Sequence, residues 1–215
     1  MKIIIMIPAR AGSKRIPKKN FRYLKGKPLL QYPIDLSKEI FDANDVVVNS
    51  ESADLGKLAE SLGVRFHQRP DELGGDKATN QDFTQEFLLH NECDYVVMIN
   101  TTSPLLSLET LKGFIEAVKE DKYDTVLSVV AEQAETFFEE KPLNFSLEKK
   151  INSQNLPVTE KVVWALTAWR RSTFLEVSGQ GGCGVFGGKV GTYAIPKDEC
   201  CDLDTPEDWR IAEGF

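Results

Sequence analysis

This chain holds only two histidines, four cysteines and three methionines in 215 residues. The cysteines, Cys93, Cys183, Cys200 and Cys201, include one adjacent pair and no C-x-x-C. Their spacing supports neither a disulfide framework nor a zinc site, and they read as reduced thiols, some of them core filler. No Ser-His-Asp arrangement is visible, and His67 and His90 read as structural. Hydrophobic runs never approach the ~20 residues of a membrane span. The N-terminus opens directly into an apolar stretch, with no charged leader and cleavage site, so a cytoplasmic protein is expected. Positive charge is short as well: 26 Lys and Arg stand against 33 Asp and Glu, a net charge of −7. That balance argues against a surface that tracks nucleic acid. The length suits one α/β domain over 1–215.

What the chain does have is a dense cationic loop in the wrong place for a solvated face. Lys2 to Ile7 is an apolar, β-branched run of the kind that forms a fully buried strand. Behind it, Arg10, Lys14, Arg15, Lys18 and Lys19 put five cations into ten residues, among Ala9, Ala11, Gly12 and Ser13. In open α/β sheets, ligands bind outside the carboxyl ends of the strands. Backbone N–H groups around Ala11, Gly12 and Ser13 allow close approach of an anion, and Lys and Arg neutralise it. The expected ligand is a triphosphate.

Ile7, Pro8, Ala9, Arg10, Ser13, Lys14, Pro17, Lys19 and Asn20 fit the pattern I-P-A-R-x-x-S-K-x-x-P-x-K-N. So many matches at fixed spacing are far more specific than a lone glycine motif. The segment resembles the signature of the CMP-sugar synthetases, the acylneuraminate and 3-deoxy-manno-octulosonate cytidylyltransferases. The resemblance implies that Pro8, Ala9, Arg10, Ala11, Gly12, Ser13, Lys19 and Asn20 bind the nucleotide, with Arg10, Lys14 and Lys19 stabilising charge on the triphosphate. Arg69-Pro70-Asp71-Glu72-Leu73-Gly74-Gly75-Asp76 matches the family's R-P-x-E-L-x-x-D, which implies a nucleotide contact for Arg69; a loop anchor through a carboxylate such as Glu72 is the other reading. Asn80 falls where the family has a small polar residue that reads cytosine.

The rest alternates strand and helix, as in a doubly wound, mostly parallel sheet. Helices are expected over 28–40, 52–62, 78–90, 108–119 and 206–213. Strands are expected over 45–49, 64–67, 94–100, 124–130, 162–169 and 190–195. The strand at 94–100 runs into Thr101-Thr102-Ser103-Pro104-Leu105, resembling the family's Q-P-T-S-P-L with Asn100 for glutamine and Thr101 for proline. Asn100, Thr101, Thr102 and Ser103 are thereby implied to face the acceptor. The span 131–162 loses periodicity and resembles the family's protruding arm, which implies a homodimer; a lid has the same composition. No arginine lies between Arg69 and Arg170, so the cation for an acidic acceptor is Lys161, Arg170, Arg171 or something more distant. Trp164 and Trp169 are placed in the core, and the glycine-dense 179–188 stretch is read as a long hairpin turn.

Near the C-terminus, Asp202-Leu203-Asp204 sets two carboxylates on one side of an extended segment. Close carboxylates resist ionisation unless a cation sits between them, and Mg²⁺ takes oxygen ligands together with substrate phosphates. The family's D-I-D-T-x-x-D is nearly matched, which implies that Asp202 and Asp204 hold a magnesium ion and that Asp202 is catalytic. Asp204 and Thr205 also suit the cap of a helix beginning at Pro206. The reading is a Mg²⁺-dependent cytidylyltransferase carrying CMP from CTP to an acidic 2-keto-3-deoxy sugar of the sialic type. Another acceptor, a phosphonate or phosphorylated sugar, is the alternative, and a non-catalytic nucleotide-binding protein the further one.

Overall fold

The structure is a computed structural model that describes residues 1–214. Its strands, in chain order, are β1 (Ile3–Pro8), β2 (Tyr23–Leu24), β3 (Lys27–Pro28), β4 (Val46–Ser50), β5 (Arg65–Gln68), β6 (Tyr95–Ile99), β7 (Thr125–Glu132), β8 (Phe137–Phe138), β9 (Lys141–Pro142), β10 (Thr159–Arg170) and β11 (Val190–Ala194). The helices are α1 (Gln31–Lys38), α2 (Ala53–Ser61), α3 (Asn80–His90), α4 (Leu108–Lys119), α5 (Arg171–Gly179) and α6 (Pro206–Gly214). Seven strands form the main sheet in the order β11-β7-β10-β6-β1-β4-β5. All neighbours are parallel except at β10, which runs antiparallel to β6 and β7.

The sheet is covered on both faces, so β1, β4 and β6 are buried almost throughout and read as unbroken apolar runs. Alternate residues feed two cores. Ile3, Ile5 and Ile7 pack with Ile34 of α1, Leu55 of α2 and Phe114 of α4. Ile4 and Met6 pack with Phe87 of α3, Trp169 and Phe174 of α5. A third, separate cluster joins Ile16, Leu24 and Leu29 to Leu203, Trp209 and Ala212. It clamps the first loop of the chain to its last helix.

Several boundaries differ from the sequence expectation. Pro28 does not open α1; it closes a small β2–β3 ribbon whose turn places Lys25 and Gly26 at φ 45° and 90°. The glycine-dense stretch is not a hairpin turn. It follows α5, which weak amphipathicity concealed, and makes a single 3-10 turn at Gly184–Phe186 before β11. The arm has regular structure, since β7 extends to Glu132, β10 starts at Thr159 and β8 pairs with β9. Ser52 and Ser107 cap α2 and α4 as expected, accepting from the N–H groups of Leu55 and Thr110. Among the described residues no helix is long and apolar enough to cross a membrane.

Candidate active site

The chain runs from β1 to β4 and β5 on one side, then returns to β6 on the other. The carboxyl ends of β1 and β6 therefore flank the point where the winding reverses, where such sheets bind ligands. At β1 the chain leaves the sheet after Ala9, whose N–H still donates to Asn49 O at 3.0 Å. Arg10 to Arg15 then cross the edge, and Ile16, fully buried, pins the loop into the third cluster. Asn20 is buried behind it. Its amide donates to Arg10 O at 2.9 Å and accepts from Thr101 Oγ1 at 2.8 Å. The Asn20 amide thus holds the loop and the β6 terminus together and keeps one N–H and one lone pair beyond these two bonds. Thr101, also buried, belongs to the same brace and not to an acceptor surface.

The loop cations meet acids from distant parts of the chain. Lys19 Nζ donates to Leu203 O at 2.8 Å and to Asp204 Oδ1 at 3.2 Å, and Arg15 reaches Asp204 Oδ2 at 2.9 Å. Arg10 pairs with Asp76 at 3.1 Å, and Lys14 pairs with the same carboxylate. Arg69 is buried and bonded to Glu51 at 3.0 Å and to Ala9 O at 3.3 Å, not to Glu72. Burial pulls its pKa below the ordinary arginine value, against the pull of Glu51. Its Nε and Nη1 have no protein partner; buried donors of this kind are costly unless a ligand or water meets them. Asn80 opens α3 half-buried behind a capping box formed by Thr79 and Asp82.

The acidic segment is not extended. Asp204 N–H turns back to Asp202 O at 2.9 Å, and the two carboxylates diverge. Asp204 goes to the basic loop, whereas Asp202 faces a cavity of about 210 Å³ lined also by Asn100, Thr102, Ser103, Lys161 and Trp164. Solvent reaches Asp202 through this recess, yet its crowded walls push the carboxyl above the ordinary range, with Thr102 pulling it down and Asp204 pushing it up. Capping of α6 falls to Thr205 and Asp208: Asp208 N–H donates to Thr205 Oγ1 at 3.2 Å and Thr205 N–H to Asp208 Oδ2 at 2.7 Å. Asp202 and Asp204 are therefore both spared from capping. Two oxygen-donor carboxylates two residues apart, one open to the cavity and one paired with Arg15 and Lys19, are the groups here that could hold a divalent ion.

The cavity owes its wall to an irregularity in β10. Register against β7 jumps between Val162 and Thr167, a bulge of the kind that re-aims side chains beside functional sites. Ser128 fills the gap, donating to Val163 O at 2.8 Å and accepting from Leu166 N at 3.0 Å. Asn100 bonds Trp164 O across it. Strand direction separates the three cationic candidates. Because β10 is antiparallel, Lys161 enters at the carboxyl edge of β6, whereas Arg170 lies opposite Tyr95 at the other edge. There Arg170 is tied to Asp121 at 2.7 Å and Asp124 at 2.8 Å, and Arg171 donates to Leu88 O. Only Lys161 of the three lines the cavity.

Sequence reasoning missed Glu51 and matched Asp76 within a motif without giving it a role. Glu51 directly follows the carboxyl end of β4, so the rule that singled out the β1 loop applies to it equally. His67 and His90 both bond Glu86, at 2.8 and 3.1 Å. Asn91 donates to Phe87 O and toward His67 Nδ1, which leaves the His67 Nε2 proton for Glu86.

A family described as Cytidylyltransferase matches residues 4–199. N-acylneuraminate cytidylyltransferase A of Danio rerio is 29% identical over 98% of this chain and 50% of its own length. Pseudaminic acid cytidylyltransferase of Campylobacter jejuni is 27% identical over 99% of this chain and 95% of its own. The chain thus spans about half the length of the acylneuraminate relative. Among solved structures, CMP:2-keto-3-deoxy-manno-octonic acid synthetase complexed with CTP superposes with a TM-score of 0.74 at 16% identity, over 100% of this chain and 98% of that one.

Proposed function

As the chain belongs to the cytidylyltransferase family, we propose that it transfers CMP from CTP to an acidic 2-keto-3-deoxy sugar of the sialic or pseudaminic type, releasing pyrophosphate. The observation that carries this reading is the convergence of Arg15 and Lys19 on Asp204, which sets a triphosphate-sized cationic loop beside Asp202 and its cavity. The acceptor oxygen attacks the α-phosphorus; that O–P bond forms as the bond to the departing pyrophosphate breaks, and the acceptor's hydroxyl proton passes to solvent. Arg10 and Lys14 receive charge building on the pyrophosphate. The unpaired Nε and Nη1 of Arg69 are suited to a nucleotide oxygen. Lys161 meets the acceptor carboxylate at the mouth of the cavity, with Asn100, Thr102 and Ser103 orienting its hydroxyls. Asp202 and Asp204 would hold Mg²⁺, which supplies positive charge to phosphate oxygens when bound.

The arm over 131–162 exposes Phe137, Phe138, Leu143 and Leu147, which supports its assignment as a homodimer contact, and the reading includes a cytoplasmic location. A different acceptor remains the second reading, because Asn100 and Lys161 stand where the family pattern has a glutamine and, nearby, arginines. The test is pyrophosphate release from CTP with Mg²⁺ against sialic, legionaminic, pseudaminic and octulosonic acids and aminoethylphosphonate, with ATP, GTP and UTP in parallel. Release with CTP and one keto-acid sugar is expected. Release with the phosphonate alone would move the acceptor to the second reading. Silence across the panel, with CTP still raising the Tm, would overturn catalysis and leave a nucleotide-binding protein.

A further inference from the structure

Two cations of the β1 loop, Arg10 and Lys14, are already occupied by one carboxylate of the chain itself. Asp76 spans Arg10 and Lys14, one oxygen to each. This bridge joins loops 66 residues apart and is made by a side chain half exposed to solvent. A second carboxylate, Glu51, takes the Ala11 N–H at 2.8 Å, but Glu51 is locked to buried Arg69. The two acids therefore differ in kind. Glu51 is a fixed part of the floor, while Asp76 sits in Gly75–Ala78, outside any helix or strand. That span is pinned at each end. A Cβ on Gly74 would press on the Glu51 side chain, which Arg69 holds, and Thr79 is fixed by the α3 capping box.

We propose that Asp76 is a built-in competitor for phosphate, which a triphosphate displaces from Arg10 and Lys14 and which reclaims them as pyrophosphate leaves. The role rests on the proposed CTP chemistry and adds to it a residue that governs pyrophosphate release. An exposed ion pair is weak, so a polyanion such as pyrophosphate wins both cations, whereas a lone phosphate that reaches neither gains nothing from displacing the acid. Asp76 thereby weakens the hold on any ligand that takes both cations, which limits product inhibition by pyrophosphate while leaving CMP unaffected. Lys14 and then Arg10 hold the Asp76 carboxyl below its ordinary range.

The test is calorimetric titration of wild type, Asp76→Asn and Asp76→Glu with inorganic pyrophosphate, CTP and CMP at one ionic strength. Asp76→Asn is expected to bind pyrophosphate and CTP roughly fivefold more tightly, the worth of two exposed ion pairs, with CMP unchanged. It should show a slower steady state after a burst of product, and Asp76→Glu should restore wild-type binding. Equal or weaker pyrophosphate binding by Asp76→Asn, with an unchanged Tm, would overturn the competitor role alone. A wild type that binds neither CTP nor pyrophosphate would overturn that role and the cytidylyltransferase reading together.

Discussion

Asp202 shows how a single residue can be costly to the fold and necessary to the site. Crowding raises its carboxyl pKa, so the folded protein holds this proton to higher pH than the unfolded chain does. The group therefore takes stability away as pH rises from the ordinary carboxylate value through the raised one. Solvent access through the recess keeps the effect small. On the proposed metal role, Asp202→Asn is expected to lose turnover by roughly a hundredfold or more. Its Tm at neutral pH should equal or exceed that of wild type, with the gap closing toward about pH 4. The acid limb of the wild-type rate should lie above that value. A fall in Tm at neutral pH would instead make Asp202 a structural residue. The sequence made Asp202 and Asp204 legible as a pair but not as divergent, because the Asp202–Asp204 backbone turn is a local contact that two-residue alternation does not encode.

At the scale of elements, β10 carries the specificity of the site. Its direction, invisible in a strand-length apolar run, brings Lys161 to the cavity and sends Arg170 away. Its bulge depends on one buried hydroxyl. Ser128→Ala would leave Val163 O and Leu166 N–H without their shared partner, at a cost of about 1–3 kcal/mol, read as a lower denaturation midpoint with an unchanged m-value. KM for the acceptor should rise more than KM for CTP. The helices were legible where a serine cap and an apolar stripe coincide, as in α2 and α4. They were not where tertiary packing did the work: α5 is held by Phe174 stacking edge-on against Trp169, with ring centroids 5.6 Å apart, rather than by a periodic face. The third cluster makes a separate prediction. Leu203→Ala, at a fully buried site between the first loop and α6, should cost about 2–5 kcal/mol and weaken the Lys19–Asp204 contact. Loss of stability without loss of kcat would show that the cluster merely anchors α6.

The whole molecule is acidic, with its densest positive charge on one loop. A small cationic patch in a negative field attracts polyanions most strongly at low salt. Raising ionic strength from about 0.05 M to about 0.3 M should therefore increase KM for CTP several-fold while leaving kcat nearly constant; a flat response would mean that the loop gives no steering. The doubly wound plan itself was legible, since continuous apolar strands separated by capped helices have few other ways to bury both faces. Which carboxylates would meet which cations was not, because those pairs cross most of the chain. Arg15 and Asp204 are 189 residues apart, and contacts of such separation are the last that loop-closure entropy permits. During synthesis, the cationic loop emerges well before Asp204, 189 residues further along. A nascent or prematurely terminated chain would carry half of the machinery, able to attract a polyanion and unable to spend it.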